Sequence, residues 1–152
     1  MSRRDQIRMT DDEIREYLAG AHTLQVASIN ADGTPHLAAM FYAVVNGEVG
    51  FWTYGKSQKI VNLRRDPRLT VMVETGKAYA ELRGVTITGR ARLVDDRDEV
   101  TAFGELLYPR YFGELNDAAR AGVAITGQKR VVVFVEPVKV VSWDHTKLGG
   151  AY

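Results

Sequence analysis

Apolar and polar positions along the chain follow two rhythms. In the first, Leu24, Val26 and Ser28 alternate with Gln25, Ala27 and Ile29, and β-branched and aromatic residues recur up to "GFWTY". A period of two sends successive side chains to opposite faces of a strand. Asp32-Gly33 and Asn46-Gly47 suit two-residue hairpin turns, which need left-handed backbone. The pattern predicts three antiparallel strands at about 22–30, 36–45 and 48–54. "RLTVMVETG" predicts a fourth strand. "YAELRGVTITGRARLV" predicts a long fifth, with bulges or bends at Gly84 and Gly89. "KRVVVFVEPVKVVSWD" predicts a last pair of strand segments, bent near Pro137.

The second rhythm is helical. Thr10 is followed three residues later by Glu13, a capping-box signature. Ile14, Tyr17 and Leu18 then share a face, and Gly20 ends the helix. "SQKIVNLRRD" predicts a second helix with Ser57 as its cap. Ile60 and Leu63, with Val61 beside them, form a narrow apolar stripe, and Pro67 stops it. "DDRDEVTAFGELLYPRYFGELNDAARAG" reads as helical with an interruption at Pro109, and "HTKLGGAY" as a polar tail. The expected architecture is α+β and mainly β: one domain over residues 1–152, an antiparallel sheet of six or seven strands that curls into a barrel, with flanking helices.

Composition narrows the chemistry. With no cysteine, disulfides, thiolate metal sites and cysteine nucleophiles are excluded. His22, His36 and His145 lack metal-ligand spacing, so no metal is expected. There is no GxSxG nucleophile motif, and Asp95-Asp96 reads as a solvated turn. The charged start "MSRRDQIRMTDDE" has no apolar core of a signal peptide, and no apolar run approaches membrane-spanning length. A cytoplasmic protein without a membrane partner is expected. A net charge of +1 argues against a general nucleic-acid binder.

Within that balance one block stands out. Lys56, Lys59, Arg64, Arg65 and Arg68 face the single Asp66. A helix start capped by Ser57 offers free amides and the positive end of the helix dipole, and Lys56 and Lys59 flank it. Amides, hydroxyl and ammonium groups converging there would hold a phosphate monoester. The same residues also read as a solvated basic face, the common fate of a charge run, or as a weak nucleic-acid contact. "YGKSQK" lacks the first glycine of a Walker A loop. Trp52 and Tyr54 alternate on the third strand, lining a cofactor face or packing into the core.

"GTPHLAAMFYAVVNGEVGFWTYGKSQKIVNLRRDPRLTVMVE" resembles the split β-barrel of the pyridoxamine-phosphate-oxidase-like superfamily, with support from "YAELRGVTITGRARLV" and "VSWDHTKLGGAY". Within it the chain is similar to the B-type flavin- and deazaflavin-dependent oxidoreductases. The resemblance implies a homodimer with a cofactor in each cleft between subunits. It implies that the strand carrying Met40 passes the cofactor ring, that Trp52 and Thr53 contact it, and that Ser57 and Lys59 hold the phosphate with Lys56 assisting. Asn62 would complete the helix-end network. Tyr79, Trp143 and Lys147 would approach the ring from the second subunit.

The implied cofactor is coenzyme F420, whose glutamate tail suits Arg64, Arg65 and Arg68; the alternative is FMN. The ending "WDHTKLGGAY" lacks the Arg-rich substrate segment of true pyridoxamine-phosphate oxidases. The implied activity is hydride transfer from reduced F420 to a small unsaturated or conjugated substrate. Tyr79, His145, Lys147 and bulk water are open as proton donors, so no catalytic residue is assigned. An FMN-dependent oxidoreductase and a non-catalytic flavin-binding protein are the alternative functions.

Overall fold

The computed structural model describes residues 1–150. Its helices are α1 (Arg3–Gln6), α2 (Asp11–Ala19), α3 (Gln58–Arg65), α4 (Arg97–Tyr111) and α5 (Asp117–Gly127). Its strands are β1 (Leu24–Ile29), β2 (Pro35–Met40), β3 (Ala43–Val45), β4 (Glu48–Tyr54), β5 (Arg68–Thr75), β6 (Arg83–Val94) and β7 (Arg130–Asp144). All described strand pairs are antiparallel, in the order β2-β1-β5-β6-β7-β4-β3. The sheet curls into a split barrel of α+β class, as the pattern of strands and flanking helices led one to expect. Leu24, Val26, Phe51, Val71, Val85 and Val133 fill its interior, each at most 1% exposed.

The predicted strand 36–45 is two strands. β2 pairs with β1 and β3 with β4, at opposite edges of the sheet, so the chain crosses the mouth of the barrel at Phe41-Tyr42. Long-range anchors hold that crossing. The buried Tyr42 hydroxyl donates to the carbonyls of Leu18 and Gly20, 2.8 Å each. Arg110 of α4 donates to the carbonyls of Tyr42, Ala19 and Gly20. An alternating apolar run carries no mark of such a break.

Other boundaries also shift. The first hairpin is a three-residue loop closed by Asn30 and Thr34, with Gly33 in the left-handed region, and not a two-residue turn. Asn46 and Gly47, φ 51° and 80°, make the tight turn expected of them. Tyr79–Glu81 is a 3-10 turn preceding β6. α4 runs through Pro109 to Tyr111, so the expected interruption does not fall there; the proline costs the helix the one bond its missing N–H would make to the Glu105 carbonyl. The interruption comes at Phe112–Asn116, where Gly113 has φ 102°, and α5 then continues to Gly127. β7 is one strand, with a register shift opposite Thr88/Gly89. In the expected polar tail His145–Leu148 forms a 3-10 turn with His145 buried, and residues 151–152 lie outside the described residues.

Candidate functional site

α3 follows β4 directly, so the strand's last residues and the helix's first ones share a corner of the barrel. Ile60 and Leu63 point into the core at 0% and 1% exposure, whereas Val61, read as part of that stripe, is 49% exposed. Asn62 fixes the helix. Fully buried, its amide donates to Ser28 Oγ (3.1 Å) and Asn30 Oδ1 (2.9 Å), and its oxygen accepts from Gln58 (2.8 Å). That side chain holds α3 against β1 and has no capacity left for a ligand.

Ser57 is the N-cap residue but makes no side-chain cap, so the first-turn amides keep their donors and the hydroxyl is available. It meets only the buried Thr53 hydroxyl, at 3.5 Å. Lys56, Ser57, Tyr54 and Arg130 line a cavity of about 690 Å³ that continues past Gly55 to Arg97 and Lys129. Lys59 is half-buried beside it. Burial, and then the charge of Arg130, hold its ammonium below the ordinary lysine value. Among the described residues no carboxylate pairs with Lys56, Lys59 or Arg130. Lys59 and Arg130, without a counter-ion among the described residues and beside a helix start with free donors, make a corner suited to an anion.

Arg130 is the member that sequence reasoning missed. The register of β4 on β7 sets it opposite Tyr54. Its guanidinium lies 4.4 Å from the Tyr54 ring centre and 5.2 Å from that of Trp52, and its buried Nε has no hydrogen-bond partner. Nearby Arg97, in contrast, is satisfied by the carbonyls of Asp95, Gly127, Gln128 and Arg130. In sequence Arg130 is only a basic residue before a strand; long-range pairing alone marks it.

Not all of the basic block is free. Arg65 donates to the Ile29 carbonyl and to Asn62. Arg68 grips Asp66 through 2.7 and 3.0 Å contacts, which draw that carboxyl down to about 2. Arg64 stays exposed without such a bond. Of the three arginines expected to meet an anionic tail, Arg65 and Arg68 are engaged within the chain and Arg64 is exposed.

Met40 and Trp52 lie on the wall of a second cavity, between β4 and helices α4 and α5. Tyr79, Trp143 and Lys147 gather at the far end of the sheet. Trp143 lies across Gly84, and the Tyr79 ring packs on His145 at 4.3 Å. Lys147 Nζ donates to Glu13 (2.6 Å) and to the Arg8 carbonyl (2.8 Å). Along β5 and β6, the Thr75–Arg83 pair at that end lies seven residue steps from Arg68–Arg90, where the chain leaves α3, or about 23 Å at roughly 3.3 Å per residue. Within one chain the two groups do not meet.

The described residues contain no cluster suited to a metal ion and no helix long and apolar enough to cross a membrane.

Comparison with known proteins agrees with this fold. The profile of the pyridoxamine 5'-phosphate oxidase family matches residues 10–144. A crystal structure of a conserved hypothetical protein from Mycobacterium tuberculosis superposes with a TM-score of 0.93 at 39% identity, over 100% of this chain and 95% of the other. An F420 reductase is 25% identical, with a TM-score of 0.65 over 83% of this chain and 94% of its own. A heme storage protein from Vibrio cholerae shares the fold at 19% identity and TM-score 0.69, over 88% of this chain and 96% of its own. No curated protein sequence matches.

Proposed function

The chain belongs to the pyridoxamine 5'-phosphate oxidase family, and from that premise we propose that it is an oxidoreductase that binds reduced coenzyme F420 in a single domain over residues 1–152 and reduces a small conjugated molecule. The observation that carries this reading is the half-buried Lys59, whose ammonium feels the charge of Arg130, with no carboxylate among the described residues to pair with either. The unused Ser57 hydroxyl, the first amides of α3 and Lys56 complete a donor set that fits a phosphate. When bound, the cofactor supplies hydride transfer, which needs no protein nucleophile.

This chain's residues bind and orient. Lys59, Ser57 and Lys56 would hold the phosphate. Thr53, Trp52 and Met40 stand on the strands that lead away from it toward the ring. Tyr79, Trp143 and Lys147 would join from a second copy in a homodimer, because their own chain keeps them at the other end of the sheet. F420 is preferred over FMN on the likeness to an F420 reductase and on the exposed Arg64, which a glutamate tail could meet.

The experiment is a titration of apo protein with F420 and FMN, followed by turnover of the bound, reduced cofactor with conjugated acceptors. Binding without acceleration over free cofactor would leave a flavin-binding protein and remove the enzyme. Failure to bind either cofactor would remove both.

A further inference from the structure

The second cavity has a chemistry of its own. It encloses about 690 Å³, within the range of small-molecule sites. Phe41, Trp52, Tyr108 and Phe112 supply flat walls, and Arg130 is the one charged group on its lining. The aromatic side is ordered: Phe41 meets Phe112 edge-on at 5.4 Å, and Tyr108 packs on Phe112 at 5.4 Å. Glycines keep the space open. A Cβ on Gly104 would come within 2.5 Å of the Trp52 indole, so only glycine lets that ring approach α4 so closely. Gly122 on the lining of α5 would meet nothing within 4 Å. Burial of Arg130 Nε without a partner is costly unless something completes it.

We propose that this cavity binds a flat aromatic or conjugated molecule carrying one carboxylate, with its rings among Phe41, Trp52 and Phe112 and its carboxylate on Arg130. Apolar walls select the rings. The Arg130 guanidinium, with an unused donor, selects the anion, for which its planar fork is suited. A cationic ligand would meet Arg130 with no carboxylate to offset it. The site meets the phosphate corner at Arg130, which lines both cavities, and shares Met40 and Trp52 with the strands proposed to lead to the ring; its anion contact is on Arg130, whereas the phosphate is assigned to Lys59 and Ser57.

The test uses the full chain and a matched pair of probes, 2-naphthoate and uncharged 2-naphthamide, read by calorimetry or probe fluorescence. The naphthoate should bind at least about tenfold more tightly than the amide, the scale of one charge-assisted hydrogen bond. Arg130→Gln should erase that preference. Gly122→Leu should abolish binding of both probes while raising the thermal midpoint, because leucine fills open space and favours the helix. Lys59→Ala should leave both probes unaffected while weakening the cofactor. The proposal is overturned if the two probes bind equally, if neither binds, or if Gly122→Leu keeps naphthoate binding in a folded protein. It is also overturned if Lys59→Ala weakens naphthoate, which would place the anion at the helix start, or if Gly122→Leu also removes FMN, which would make the cavity the cofactor's own seat. A failed cofactor titration with normal naphthoate binding would instead count against the oxidoreductase reading alone.

Discussion

At the scale of single residues, the site is defined by charge left uncompensated. Lys59 shows this best, since its ammonium is disfavoured by burial and by Arg130. Its pKa is lower folded than unfolded, so the folded state holds fewer protons between the two values and stability there rises with pH. Below the lowered pKa the penalty is fully present. Lys59→Met should therefore raise the urea midpoint of the apo protein at neutral pH, while Lys59→Ala weakens cofactor binding by about 1.5–3 kcal/mol, or tenfold to a hundredfold. Cofactor affinity should fall as pH rises through the lowered lysine value and lose that dependence in Lys59→Ala. Unchanged affinity would exclude Lys59 from the site. Arg64 and Arg65 make the complementary case. Arg64 is exposed and free to meet a polyanionic tail, so Arg64→Gln should narrow an F420-over-FMN preference at low salt by a few-fold at most, and less at high salt. Arg65 is spent on Ile29 and Asn62, so Arg65→Gln should lower stability and weaken both cofactors alike. An Arg65→Gln protein of normal stability with a selective loss of F420 would return Arg65 to the tail.

At the scale of elements, α3 is a polar lever on an apolar pivot. Ile60 and Leu63 set its depth, and Asn62 sets its position against β1. Asn62→Ala would strip Ser28, Asn30 and Gln58 of a shared partner in a buried place. The expected cost is about 2–3 kcal/mol in urea unfolding, with a weaker cofactor because the helix start moves. A loss under about 0.5 kcal/mol would mean that Ile60 and Leu63 suffice. This element was legible in the sequence: Ser57, the apolar pair and Pro67 mark the helix and its limits. β4 was legible to the residue, because Asn46-Gly47 and the end of its apolar alternation fix both its limits. The split of β2 from β3 was not, since what breaks the strand is Tyr42 reaching Leu18 and Gly20 and Arg110 arriving from α4. Arg130 escaped for the same reason. Local pattern fixes what a segment is, and the pairing of distant strands fixes which side chains it meets.

At the scale of the whole molecule, the two groups of expected cofactor residues pose the decisive geometry. Lys59 and Ser57 sit at the start of α3, after β4, whereas Tyr79 and Trp143 lie at the end of the sheet where Thr75 pairs with Arg83 and Gly84 with Trp143. Two chains packed antiparallel across a twofold axis would bring the α3 start of each to the Tyr79 end of the other, pairing the ends twice over. The sheet offers a surface for this. By register, Leu37, Ala27, Thr70 and Thr88 form one uncharged row across β2, β1, β5 and β6, and Leu37 and Val138 are 68% and 75% exposed. Exposed apolar strand positions of this kind mark an interaction surface. The protein should therefore be a homodimer, with a scattering mass near twice 16.9 kDa at micromolar concentration. Ala27→Glu places a charge in the middle of the row and should give a folded monomer. If the second copy completes the cofactor site, that monomer should bind cofactor more weakly although its own Lys59 corner is intact, and Tyr79→Ala should weaken binding in the dimer but not in the Ala27→Glu background. A wild-type mass of a single chain would defeat the assembly. A monomeric variant with undiminished affinity would leave the dimer standing but confine the site to one chain, with Tyr79, Trp143 and Lys147 outside it.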